Sequence, residues 1–187
     1  MLERVVRTQT GAAREQAEPV QPVSDFEEFF KQNFPVVVKL AYGVVRDEHL
    51  AEDIAQEVLI SAERRFTLRD DHDHASGWVH VAAVHVALNS LRDRRRRETR
   101  QERAASGSPR AEMDPADVAL ERDRESRVRE VLQELPDHAA TVLVLRHSGL
   151  SYAEIAQSMG VKVGQVGTML RRAESRFRKE FERASRR

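Results

Sequence analysis

Apolar residues recur at three- and four-residue steps through most of the chain, which is the helix period. Phe26, Phe29, Phe30, Phe34, Val37, Leu40 and Ala41 make the first such stripe. Ser24 with Glu27 forms an S-x-x-E capping box in front of it. Pro35 lies inside the pattern and predicts a kink or a split there. Asp47 is the next cap. From Glu48 to Phe66, one face collects Leu50, Ile54 and Val58 with Ala51, Ala55 and Ala62. TLRDDHDHA, from Thr67 to Ala75, reads as a loop. Ser76 caps a third helix through GWVHVAAVHVALNSLRDRRRR. In it Val81, Val84, Leu88 and Leu91 form an apolar stripe, and Trp78, His85, Asn89, Arg92 and Arg96 form a more polar one. The run VHVAAVHVAL mimics a strand, but its length and its alanines favour helix.

Periodicity fades from Glu98 to about Arg122, where SGSPR and MDP are breakers. It resumes at Val128, Val131, Leu132 and Leu135 and stops at Pro136. Asp137 then caps Ala139 to His147, with Val142, Leu143 and Leu145 apolar, and Gly149 ends that helix. Ser151 and Glu154 make a second capping box. Ile155 and Ala156 face inward, and Gly160 supplies a turn that needs positive φ. The next helix buries Val166, Leu170, Ala173 and Phe177. Its opposite face carries Gln165, Thr168, Met169, Arg172 and Arg176. A helix-turn-helix fits this segment, and so does a plain helical hairpin. In a helix-turn-helix the second helix enters the DNA major groove by its N-terminal end. Gly164 and Gly167 stand near that end, although a helical glycine costs about 1 kcal/mol relative to alanine. A residue without a side chain lets the backbone approach phosphate, with Arg171 and Arg172 supplying charge.

The pattern therefore predicts an all-α fold in two small helical domains joined by a flexible linker, the second containing the helix-turn-helix. The chain divides into a disordered N-terminal tail (1–23), a first domain (24–97), a linker (98–122) and a second domain (123–187). The tail is polar and aperiodic.

Charge sharpens this picture. Lys+Arg and Asp+Glu both number 31 in the 187 residues, but they segregate. RDRRRR, from Arg92 to Arg97, holds five arginines, and Arg171 to Arg187 holds eight basic residues against three acids. Arg110 to Asp137 holds nine acids against five arginines. Two basic patches, each ending an amphipathic helix, point to nucleic acid. A single such patch would read as a solvated helix face. The chain has no cysteine, which excludes disulfides and thiolate metal sites. No apolar run approaches the roughly 20 residues of a membrane span, and no signal-peptide core is present. A cytoplasmic protein without membrane contact is expected. DHDH, from Asp71 to His74, invites a metal reading. Adjacent loop residues need a distant third ligand, and no HExxH-like spacing accompanies them. No metal, no cofactor and no catalytic residue is expected, since Walker A, GxSxG and dinucleotide fingerprints are all missing.

Three stretches carry a resemblance. DFEEFFKQNFPVVVKLAYGVVRDEHLAEDIAQEVLISAERRF is similar to the polymerase-binding segment of bacterial sigma factors of the extracytoplasmic-function (ECF) type, with AEDIAQEVLISA as the key run. GWVHVAAVHVALNSLRDRRRR resembles that family's helix for opening DNA at the minus-ten element. LPDHAATVLVLRHSGLSYAEIAQSMGVKVGQVGTMLRRAESRFRK resembles its minus-thirty-five domain. The resemblance covers 24–97 and 123–182, in family order and spacing.

It implies an alternative sigma factor that binds core RNA polymerase through the largest-subunit coiled coil and the flap, reads two promoter elements and starts transcription. The coiled coil would meet Glu52, Asp53, Gln56 and Glu57. The minus-ten DNA would meet Trp78, His80, His85, Asn89, Arg92 and Arg96, with residues 67–76 setting base preference. Trp78 also suits a place in the core. The minus-thirty-five DNA would meet Gly164, Gln165, Thr168, Met169, Arg171, Arg172 and Arg176. The family's linker threads toward the polymerase channel, where Glu112, Asp114 and Asp117 would mimic nucleic-acid charge. An anti-sigma factor is the expected regulatory partner. Val81, Val84 and His85 stand where relatives carry arginines and an asparagine, and Lys162 stands at a capping position. A stand-alone helix-turn-helix regulator is the alternative, and it gives AEDIAQEV no role.

Overall fold

The structure is a computed structural model and describes residues 25–66, 71–104 and 116–186; side chains of 102–104 and 116–122 are outside that description. The described residues form seven helices and no strand: α1 Asp25–Val45, α2 Glu48–Arg65, α3 His72–Ala104, α4 Ala116–Glu134, α5 Asp137–His147, α6 Tyr152–Met159 and α7 Val163–Ala184. The all-α expectation holds. The tail, Ser24 of the first capping box, residues 67–70, Glu112 and Asp114 lie outside the described residues, and so does the side chain of Asp117.

α1 runs unbroken through Pro35. Pro35 lies on the exposed side, so the carbonyl one turn earlier that loses its N–H donor is on the solvent face of the helix. Phe29, Val37, Leu40, Ala41 and Val44 are fully buried below it, and the buried Asn33 satisfies itself by donating to the Phe29 carbonyl at 2.9 Å. Phe26, Phe30 and Phe34 form a half-buried aromatic row, the latter pair stacked at 5.0 Å. Asp47 caps α2 as expected, accepting from Leu50 N–H at 3.1 Å. Arg46, in the tight turn before it, takes φ +56°.

α3 departs from expectation in extent and in phase. It begins at His72, so Ser76 lies inside it and caps nothing. Its buried line is Ala75, Val79, Ala83, Val84, Ala87, Leu88 and Leu91, and Val81 is only half-buried. The reason is tertiary: α3 is packed on both sides, by α1 and α2 on one and by α4, α5 and α6 on the other. A helix buried on two sides carries two apolar lines, and sequence periodicity does not say which is primary. α3 extends to Ala104 and α4 begins at Ala116, so helix reaches from both sides into the stretch where periodicity fades. Asp137 does not cap α5. It is that helix's first residue, Pro136 is the N-cap, and no side-chain cap bond forms.

One continuous apolar cluster runs from Phe29 of α1 to Ala173 of α7. The two sequence-defined halves therefore share a core in this arrangement.

Candidate functional site

Three surfaces carry the candidate residues. The first is α2. Ala51, Ile54, Ala55, Val58, Leu59 and Ala62 are buried on one side. Asp53, Gln56 and Glu57 are exposed on the other, and Glu52 is half-buried. Positions 53, 56, 57 and 60 share a face by the three- and four-residue rule. Ile60, which the sequence reading passed over, is 40% exposed there. Large exposed aliphatics among acids suit a surface that another protein covers. The signal in sequence was its spacing from Asp53 and Gln56.

The second surface is the polar stripe of α3. Trp78 is half-buried. Its ring meets Phe66 edge-on at 5.7 Å, and the Arg65 guanidinium lies 5.5 Å over it. Both expected roles stay compatible with that rim position. His80 Nδ1 sits 3.2 Å from Ser158 Oγ of α6. Burial pushes the His80 imidazole below its ordinary pKa, and the Glu154 carboxylate pulls it partly back. Asn89 Oδ1 accepts from Arg92 at 3.2 Å. Arg92 also donates to the Gln133 carbonyl at 3.4 Å and to Asp137 at 2.7 Å. The bond from Arg92 holds the Asp137 carboxyl below its ordinary pKa, helped by the charges of Arg92, His85 and His138 and opposed by slight burial. Arg95 approaches Glu134 at 3.6 Å. Arg96 is exposed and pairs with Asp93 at 3.4 Å on its own helix.

The structure thus brings Asn89 and Arg92 together and leaves Arg96 apart. It turns His80 and Arg92 toward the second domain. Residues 71–74 take structural contacts: His72 packs edge-on against Phe29 at 5.3 Å, and the Asp73 carbonyl accepts from Gln157 at 3.0 Å.

The third surface is α7. Ser151 Oγ accepts from Glu154 N–H at 3.3 Å, and Glu154 accepts from Ser151 N–H at 2.7 Å, closing the expected capping box. Gly160 has φ +65° and ends α6. At α7 only half a box exists: Gln165 Oε1 accepts from Lys162 N–H at 3.0 Å, whereas the Lys162 ammonium has no lone pair to return. Val166, Leu170 and Ala173 are buried. Gly164, Gln165, Thr168, Arg171, Arg172 and Arg176 are exposed along the outer face. Met169 is partly taken up by the core. The two glycines differ. A side chain at Gly164 would meet open space, whereas one at Gly167 would touch the Tyr152 ring at 3.6 Å. No helix of the described residues is long and apolar enough to cross a membrane.

Comparison with known proteins finds family matches over two stretches of the chain. Residues 29–97 match the family described as Sigma-70 region 2, and residues 125–177 match Sigma-70, region 4. The RNA polymerase sigma-H factor of Pseudomonas aeruginosa is 33% identical over 147 residues, covering 73% of this chain and 76% of that protein. ECF RNA polymerase sigma factor SigE of Mycolicibacterium smegmatis is 28% identical over 162 residues, covering 82% of this chain and 60% of its own length. ECF RNA polymerase sigma factor SigW of Bacillus subtilis is 25% identical over 155 residues, covering 78% and 82%.

Proposed function

The chain belongs to the sigma-70 family of RNA polymerase sigma factors, as an alternative factor of the ECF type that starts transcription, and on that premise we propose how its surfaces divide the work. The α2 face of Asp53, Gln56 and Glu57, flanked by Glu52 and Ile60, docks on the coiled coil of the polymerase's largest subunit. The outer face of α7 enters the major groove at the minus-thirty-five element. Gln165 and Thr168 reach base edges there, and Arg171, Arg172 and Arg176 hold phosphates. The region containing α4 to α7 also meets the polymerase flap. The polar stripe of α3 takes the minus-ten strands as the duplex opens, with Arg92 and Arg96 on phosphates and Trp78, His80, His85 and Asn89 toward bases. The chain does no bond chemistry itself. It works in the cytoplasm, where polymerase is, and an anti-sigma factor restrains it.

One observation carries the reading. The helix with the acidic face is separated from the helix-turn-helix, and both outer faces are exposed in the same molecule. A stand-alone DNA-binding regulator has no use for the first.

The test mixes the chain with core polymerase and a genomic promoter library. Promoter-dependent transcripts are expected. Asp53→Arg with Gln56→Arg is expected to abolish core binding with helical content unchanged, because neither residue is buried. Tight sequence-specific DNA binding by the chain alone, with no association to polymerase, would favour the stand-alone regulator.

A further inference from the structure

Between α1 on one side and α4, α5 and α7 on the other lies a cavity of about 750 Å³ that none of the three surfaces uses. Cavities of about 300–1,000 Å³ between packed helices suit a small organic molecule. Positions 39–46 of α1 and 174–181 of α7 flank it, each running about 10 Å along its helix axis. The floor is apolar, lined by Leu132, Leu143, Val144, Phe177 and Phe181, with the last two rings stacked at 5.9 Å. Val128 and Tyr42 also line it, and both are large apolar side chains left exposed, at 37% and 42%. Gly43 keeps the α1 wall open, since a Cβ there would meet only Ser148 Oγ, at 3.8 Å. The polar lining is unbalanced: Lys39, Arg46, His147 and Arg178 face a single carboxylate, Glu174. Arg46 is already engaged, 3.8 Å from Glu125 and 5.6 Å from the Tyr42 ring. Lys39 and Arg178 are exposed and make no ion pair among the described residues. His147 Nδ1 donates to the Leu143 carbonyl at 3.1 Å, which leaves Nε2 for another partner.

An apolar floor beside unpaired cations fits a molecule with an apolar body and an anionic head. We propose that this cavity binds an acyl carboxylate, its chain on the floor between Leu132 and Phe181 and its carboxylate on Lys39 and Arg178. A cationic amphiphile would set its head against like charges, and a purely polar anion would leave the floor wet. The inference does not depend on which faces meet polymerase and DNA. Lys39 belongs to the first half of the chain and Arg178 to the second, so the complete site exists only while the halves are joined. A bound carboxylate stabilises that arrangement by mass action, and its concentration thereby acts on the factor directly.

The probe is sodium decanoate, titrated into the full-length chain, with decylammonium chloride as a probe of equal chain and opposite charge. Decanoate should bind saturably and raise the thermal midpoint as its occupancy grows. Decylammonium should bind at least about tenfold more weakly. Methyl NMR places the site: signals of Val128, Leu132, Leu143 and Val144 should move with decanoate, and those of Ile54 and Val58 in α2 should not. Gly43→Leu fills the cavity from the α1 side without changing charge. Lys39→Glu with Arg178→Glu keeps the space and reverses the head site. Each should weaken decanoate binding at least about tenfold. Arg64→Glu with Lys179→Glu makes the same charge change outside the cavity and should bind as the parent does. Helical content is compared for every variant. The charge pair alters only exposed side chains, so it decides the matter if Gly43→Leu does not fold. Equal binding of the two probes would overturn the proposal, as would parental affinity in the folded charge pair. Shifts scattered over α2, or no saturable decanoate binding below about 1 mM, would overturn it too.

Discussion

Arg92 and Asp137 lie 45 positions apart and meet at 2.7 Å, tying the C-terminal half of α3 to the first residue of α5. The arginine side chain is 26% exposed and the aspartate 58%. A pair at this depth contributes under about 1 kcal/mol to stability. Its consequence is occupancy, since it commits an arginine that the minus-ten reading needs.

The Asp137 carboxyl should titrate below its ordinary value, because the Arg92 bond favours its ionised form. A carboxylate with a depressed folded-state pKa contributes stability above its unfolded pKa and loses it as pH falls through the folded one. Carbon-detected NMR titration should therefore place its midpoint below 3.8. Arg92→Gln should move the midpoint upward. An unchanged midpoint in that variant would dissolve the pair.

His80 makes the opposite request of pH. Burial lowers its pKa from 6.5, and Glu154 only partly offsets this. The packed state thus binds fewer protons than the opened one, so acidification below about 6.5 should favour separation of α3 from α6. Distance measurements between labels on α2 and α7 should lengthen as pH falls from about 7.5 to about 5.5. A distance constant over that range would reject this.

Two glycines flanking the α7 start at Val163, Gly160 before it and Gly164 just after it, should respond with opposite signs. Gly160→Ala forces a side chain into φ +65° and should destabilise by about 1–2 kcal/mol. Gly164→Ala enters open space on a helix and should stabilise by up to about 1 kcal/mol. Thermal unfolding reads both. If the Gly164 variant is stabilised and yet binds minus-thirty-five DNA more weakly, the glycine is there for close backbone approach.

Ile60→Asp should leave thermal stability within about 0.5 kcal/mol of the parent, since the residue is 40% exposed. Core polymerase binding should fall at least about tenfold if the aliphatic group is covered in the complex. Unaltered binding would confine the docking face to Asp53, Gln56 and Glu57.

Removing the cap of a short helix should matter more than its exposure suggests. α6 has eight residues, too few to be stable alone. Ser151→Ala deletes the hydroxyl that accepts from Glu154 N–H and should cost about 1 kcal/mol. Amide exchange across 152–159 should accelerate first. Uniform acceleration over the whole chain would mean that α6 opens only with global unfolding.

Features that depend on neighbours along the chain were legible. The Asp47 cap, the Ser151–Glu154 box, the left-handed Gly160 and the apolar faces of α2 and α7 are decided within one or two turns, and the structure places them as expected. The acidic face of α2 was legible for the same reason: a helix with one apolar side exposes the other. What the sequence could not decide were positions answering to residues far away. Pro35 is tolerated because its side of α1 meets solvent, and the buried line of α3 runs through Val79 rather than Val81 because α3 is packed on two sides. Asp137 reads as a cap by its place before a helix, but the nearby Arg92 guanidinium offers a charged partner that no local backbone N–H matches. Gly77 carries no local signal, since only the arrival of Ser158 gives the missing side chain a purpose. The sequence by itself thus determined the helical character of the chain, the faces of α2 and α7, and the chemistry written on them. Tertiary packing decided which of those faces are open and which are covered, because burial depends on contacts that chain order does not specify.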